Sequence, residues 1–185
     1  MIKVAIVEDD APFRKSLRQV IESKRGFTCV AECGTGAEAI ERIPRDPPEI
    51  VLMDLNLPDF SGAEVTARLK ALLPDISVVV LTVYNDTEHI FKALRAGANG
   101  YLLKQATAGE IMEAITEAHR GGAPMTSGIA RKVIAAFHEP PPADAVVTRS
   151  GASPLVAVMA RRTPRRGSRN RPSGRNTRNR ISTQP

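Results

Sequence analysis

Ile50-Val51-Leu52-Met53-Asp54, followed at once by Leu55-Asn56-Leu57-Pro58, decides how this chain is read. Four apolar residues in a row, with no alternation, mark a strand buried on both faces, as in a parallel sheet covered by helices. An acidic side chain just past such a strand points out of the sheet's carboxyl edge, where open parallel α/β sheets bind ligands. Two other stretches repeat the arrangement: Val4-Ala5-Ile6-Val7 runs into Glu8-Asp9-Asp10, and Tyr101-Leu102-Leu103 runs into Lys104. Three strand ends therefore deliver carboxylates and one ammonium to a single rim. Clustered carboxylates repel unless a cation joins them, and oxygen ligands with several waters suit Mg²⁺. A carboxylate held beside Mg²⁺ and a lysine is a nucleophile suited to accepting a phosphoryl group.

Outward from that stretch, strand and helix patterns alternate. Strands are expected at 3–7, 28–32, 50–53, 76–81 and 100–103. Helices are expected at 12–24, 35–43 (ended by Pro44), from a Ser61 cap to Pro74, at 86–96 and at 108–120. The first carries Phe13, Leu17, Val20 and Ile21 in one stripe, and Ser61-Gly62-Ala63-Glu64 fits a capping box. Five β-then-α units imply an α/β fold: a doubly wound, five-stranded parallel sheet with helices on both faces. A shorter amphipathic helix is expected at 127–137, with Ile129, Val133, Ile134 and Phe137 in a stripe, before Pro140-Pro141-Pro142.

The overall charge of +6 averages two unlike parts of the 185 residues. Residues 1–144 hold 16 Lys and Arg and all 20 acidic residues, a net of −4, whereas 145–185 hold ten Arg, no Lys and no acid. Every Phe and Tyr lies at or before Phe137, and after Ala160 the only aliphatic residue is Ile181. Such a tail buries too little apolar surface to offset its ordering entropy, so it is expected to be disordered. No hydrophobic stretch approaches the roughly 18 residues of a membrane span, and no secretory signal is visible, so a cytoplasmic protein is expected. Cys29 and Cys33 on one strand would lie roughly 13 Å apart, beyond disulfide reach, and read as buried small apolar residues. His89, His119 and His138 have no carboxylate or cysteine at catalytic spacing and read as helix-surface residues.

Val7-Glu8-Asp9-Asp10, Met53-Asp54-Leu55-Asn56-Leu57-Pro58, Ser61-Gly62, Leu81-Thr82 and Ala96-Gly97-Ala98-Asn99-Gly100-Tyr101-Leu102-Leu103-Lys104 together resemble the receiver (CheY-like) domain of two-component response regulators, over residues 1–121. The resemblance implies that Asp54 is phosphorylated by a sensor histidine kinase. It implies Mg²⁺ ligands at Asp9, Asp54 and the backbone carbonyl of Asn56, with Glu8 reaching the ion through water. It also implies phosphoryl binding by Lys104, a switch hydroxyl at Thr82 and a switch aromatic at Tyr101. From the residues alone, Asp10 reads as a helix N-cap before Pro12 rather than a ligand, and Tyr101 and Thr82 also fit a core aromatic and a strand residue. Gln105 departs from the pattern, because the family often has proline there.

Residues 122–142, with Gly121-Gly122-Ala123-Pro124-Met125 at their start, resemble the linker of NarL/FixJ-class regulators. The helix-turn-helix domain that normally follows is not recognisable in 143–185. The Arg-Pro-Gly-Ser-Asn composition fits GC-rich DNA read in a shifted frame, so a truncated or frameshifted output domain is expected. A native basic tail and a tail that orders on a partner are the alternatives. The expected function is a response regulator with transcriptional output by descent; the rival is a stand-alone receiver acting by protein contact. No catalytic constellation follows residue 105, so no enzyme output is expected. Homodimerisation or partner binding on phosphorylation is expected, through the face bearing Tyr101, with at most weak, non-specific DNA binding through the arginines.

Overall fold

The uninterrupted aliphatic runs become the strands of one parallel sheet in a computed structural model that describes residues 1–138. In chain order these are β1 (Ile2–Val7), α1 (Ala11–Ser23), β2 (Phe27–Cys33), α2 (Gly36–Arg42), β3 (Ile50–Met53), α3 (Gly62–Leu72), β4 (Ser77–Thr82), α4 (Thr87–Arg95), β5 (Gly100–Leu103), α5 (Ala108–His119) and α6 (Ser127–His138). The strand order is β2-β1-β3-β4-β5, all neighbours parallel, so the expected doubly wound α/β sheet is what forms. The tail expectations for 143–185, and the last residues of the 122–142 segment, lie outside the described residues.

The alternation along β3 divides the core. Ile50 and Leu52 pack with Leu17 and Ile21 of α1 and Ile111, Met112 and Ile115 of α5. Val51 and Met53 point the other way, to Ala39 of α2 and Val65 and Leu69 of α3. A third cluster joins Val80, Tyr101, Ile90 and Ala93 to Ile129 of α6. The first five helix starts have a local cause: Asp10, Thr35, Ser61, Asp86 and Thr107 each accept a hydrogen bond from a backbone N–H three residues on. Ser61–Glu64 and Thr107–Glu110 are full capping boxes.

Two expectations change. Pro44 does not end α2 sharply; it sits inside a 3₁₀ turn, Ile43–Arg45, because proline's fixed φ suits a first helical position. The α6 stripe is narrower than its sequence: Ile129 is buried and Val133 packs against the third cluster, but Ile134 and Phe137 are exposed, because α6 has a partner on one side only. The peptide bond after Lys104 is trans, as are all others among the described residues.

Candidate functional site

β1, β3 and β5 end side by side, and their next residues converge. Lys104 Nζ lies 2.8 Å from a Glu8 carboxylate oxygen and 2.9 Å from Asp54 Oδ2. Glu8, Asp9 and Asp54 offer oxygens that all lie within 4.8 Å of one another. Glu8 and Asp54 are buried and Asp9 is exposed, so the cluster opens to solvent on the Asp9 side. Asp10 does not join; its side chain accepts from the Phe13 N–H at 2.9 Å, as the N-cap reading expects.

The backbone fixes this arrangement. Asp54 N donates to the Val7 carbonyl at 2.9 Å, and Lys104 N donates to the Thr82 carbonyl at 2.9 Å. Gly62 N donates to the Leu55 carbonyl at 3.0 Å, and a Cβ on Gly62 would sit 1.9 Å from the Asp54 carbonyl oxygen. Only glycine lets α3 start so close to the acidic strand end.

Burial raises the Glu8 carboxyl above its ordinary value; the Lys104 hydrogen bond opposes this and the Asp54 charge adds to it. Burial pulls the Lys104 ammonium down, but its bonds to Glu8 and Asp54 outweigh that and hold it above its usual value. Three carboxylates against one ammonium leave a formal charge of −2. Asp54 Oδ1 is buried with no hydrogen-bond partner. A buried, unpaired carboxylate oxygen is costly. The orphan oxygen, the charge and the all-oxygen donor set fit a hard divalent cation such as Mg²⁺.

Thr82, at the end of β4, is fully buried, and its Oγ1 accepts weakly from Tyr84 N at 3.5 Å. Tyr101 is fully buried, and its hydroxyl donates to the Tyr84 carbonyl at 2.9 Å. Burial, followed by the charges of Asp86 and Asp54, raises its phenol above the usual value. Asn56 is exposed and bridges to Ser61 across the loop after β3.

Sequence reasoning missed four contributors. Arg14 Nη1 donates to the Glu8 carbonyl and, at 3.3 Å, to the Asp9 carbonyl, holding the acidic loop. Lys104 Nζ stands 5.2 Å from the Phe13 ring centroid. Asp59 accepts from Gly36 N and Ala37 N, both at 2.8 Å, tying the loop after Asp54 to α2. Tyr84 supplies the carbonyl that holds Tyr101. The first two lie on the helical face of α1 that meets the site, a signal visible only once β1 and β5 are known to be on one rim. The histidines lie on helix surfaces as expected, but two of them have carboxylate partners: His89 Nδ1 lies 2.8 Å from Asp86, with its ring stacked on Tyr84, and His119 Nδ1 lies 3.0 Å from Glu49. Asp86 is the N-cap of α4, and Glu49 directly precedes β3; neither belongs to the Glu8–Asp9–Asp54 cluster.

The pattern of the response regulator receiver domain matches residues 4–116. The transcriptional regulatory protein DegU of Brevibacillus brevis is 34% identical over 122 residues, 66% of this chain and 52% of that protein. The response regulator UvrY of Escherichia coli K12 is 31% identical over 140 residues, 76% of this chain and 64% of that protein. The chain thus spans about half of one relative's length and under two thirds of the other's. A crystal structure of a LuxR-family two-component response regulator from Aurantimonas superposes with a TM-score of 0.70 at 29% identity, covering 74% of this chain and 98% of that one. No helix among the described residues is long and apolar enough to cross a membrane.

Proposed function

The chain belongs to the response regulator receiver family, and from that membership we propose that it accepts a phosphoryl group on Asp54 from a sensor histidine kinase. The observation that carries this reading is Asp54 itself: Oδ2 is held by Lys104 while the buried Oδ1 has no donor. One Asp54 carboxylate oxygen is the attacking atom, the other remaining for the cation. It forms the new P–O bond as the donor's P–N bond breaks, and the imidazole leaves with the bonding electron pair. Asp9, Asp54 and the Asn56 backbone carbonyl would hold Mg²⁺, with Glu8 acting through water; the bound ion supplies neutralisation of the phosphoryl oxygens. Lys104 supplies the remaining cation and orients Asp54. Phosphoryl transfer needs such positioning and charge compensation more than covalent chemistry from the protein. Thr82 then donates to a phosphoryl oxygen, and its movement leaves space that Tyr101 fills.

Both curated relatives carry regulator names, one of them a transcriptional one, so transcriptional output by descent is the reading for the whole protein. We place the protein in the cytoplasm, acting as a phospho-acceptor rather than as an enzyme on a separate substrate. Intact-mass measurement after incubation with acetyl phosphate tests the reading. One phosphoryl mass should appear with Mg²⁺, vanish with EDTA and be absent from Asp54→Asn. Equal modification of Asp54→Asn would overturn the assignment.

A further inference from the structure

The Asp9 carboxylate is the member of the acidic cluster that no protein group holds among the described residues. Lys104 Nζ holds Asp54 Oδ2 at 2.9 Å and Glu8 at 2.8 Å, and Asp10 N donates to Glu8 Oε1 at 3.2 Å. Asp9 is exposed, yet it still offers an oxygen within 4.8 Å of the other two. The place of that oxygen is therefore set through the Asp9 backbone. The Asp9 carbonyl accepts from Arg14 Nη1 at 3.3 Å, and the same nitrogen donates to the Glu8 carbonyl. One guanidinium nitrogen thus pins two consecutive peptide units, and with them the direction in which both carboxylates leave the chain.

Arg14 is itself held from two sides. Its N–H donates to the Asp10 carbonyl at 2.8 Å, at the start of α1. Its half-buried guanidinium lies against the loop after β2: a Cβ on Gly34 would meet Nη1 at 3.5 Å and Cζ at 3.8 Å, ordinary contact distances. That loop is tied to the same strand end, because Glu8 N donates to the Cys33 carbonyl at 3.0 Å, just past the Val7–Cys33 pairing of β1 with β2. By charge alone Arg14 is a poor choice here. A guanidinium beside the cluster repels an incoming cation, and it has no lone pair with which to bind one. It raises the affinity of the site only if the order that it imposes on the ligands outweighs that repulsion. Groups that orient metal ligands contribute about 10- to 100-fold in affinity.

We propose that Arg14 is a positioning residue for the cation: through the two carbonyls it presents Asp9 and Glu8 to a Mg²⁺ ion shared with Asp54, and this ordering outweighs its own positive charge. The inference rests on the Mg²⁺ reading of the cluster and adds the residue that sets the affinity. Ordering and charge predict opposite signs. If Arg14 acts through its charge, removing it tightens Mg²⁺ binding; if it acts by ordering the loop, removing it weakens binding. A purely structural role would lower the stability of the fold without changing the affinity of the folded protein.

Titration calorimetry with MgCl₂ on the full chain, beside urea unfolding in EDTA, tests this. Arg14→Met should bind Mg²⁺ about tenfold more weakly than the wild type while still unfolding cooperatively. Arg14→Lys, which keeps the charge and one donor on a shorter stem, should fall between the two. Binding by Arg14→Met that equals or exceeds the wild type's overturns the inference. Should Arg14→Met fail to unfold cooperatively, Arg14→Lys decides alone: weaker binding at retained charge supports the ordering role, and wild-type affinity overturns it. No Mg²⁺ binding by the wild type overturns the reading of the cluster, and the role of Arg14 with it.

Discussion

Replacing Gly62 with alanine should damage fold and site together. The added Cβ would sit 1.9 Å from the Asp54 carbonyl oxygen, 2.8 Å from its carbonyl carbon and 2.9 Å from Leu55 Cα. All three are backbone atoms, so no side chain can rotate away. α3 is pinned at this point by the Ser61–Glu64 capping box, and β3 is hydrogen-bonded between β1 and β4. Relief requires a shift of about an ångström between strand end and helix start, and overpacking of that kind costs about 3 kcal/mol, the upper part of its usual range. With a urea slope of about 2 kcal/mol/M, the unfolding midpoint should fall by roughly 1.5 M. Mg²⁺ affinity, followed by titration calorimetry, should fall as well, because the strand end that carries Asp54 is what gives way. Gly109→Ala is the control: its Cβ meets only Thr107 Oγ1, at 3.9 Å, in the first turn of α5. There, alanine should stabilise by about 0.5 kcal/mol through helix propensity. A Gly62→Ala midpoint equal to the wild type's would refute the close-approach argument.

Other outcomes are expected. Asp9→Asn should weaken Mg²⁺ binding at least tenfold in calorimetry while leaving the urea midpoint nearly unchanged, since Asp9 is exposed; unchanged affinity would remove it from the ligand set. Tyr101→Phe should cost about 1 kcal/mol by losing the bond to the Tyr84 carbonyl, read by urea unfolding, and no loss would mean that the bond contributes nothing net. Burial pushes the Cys33 thiol from 9.0 up to about 11. A folded value raised in this way stabilises fully below pH 9 and is lost as pH rises towards 11, on the order of 2 kcal/mol. The alkaline drop in stability should therefore be smaller in Cys33→Ala, and an equal drop in both proteins would contradict the assignment.

The strands were legible because burial on both faces leaves no polar alternation: Ile50–Met53 and the aliphatic core of Ser77–Thr82 could be little else. The charged groups were legible because each sits one residue beyond such a run, so that parallel topology alone brings Glu8, Asp54 and Lys104 to one rim. What escaped was set by contacts distant in the chain. Nothing in the sequence near His119 announces Glu49, and nothing near Asp59 announces the N-terminus of α2, 22 and 23 residues away. The α6 stripe misled for the opposite reason: periodicity reports which residues share a face but not how much of that face finds a partner, so Ile134 and Phe137 read like Ile129. Thr107-Ala108-Gly109-Glu110, by contrast, carries its capping box openly in the sequence.

The bond from Tyr101 to the Tyr84 carbonyl has an optical consequence. The chain has two tyrosines and no tryptophan, and the two are Tyr84 and Tyr101. One ring is fully buried beside α6, and the other is half-buried and stacked on His89 at 4.2 Å. All tyrosine emission from the native sequence therefore originates within a single loop and the strand that it touches. With no indole to mask or quench it, tyrosine fluorescence is a label-free reporter of that loop. In a stopped-flow instrument its intensity would report whether the environment of Tyr101 changes when the pocket is loaded, without a dye, a tag or a single substitution.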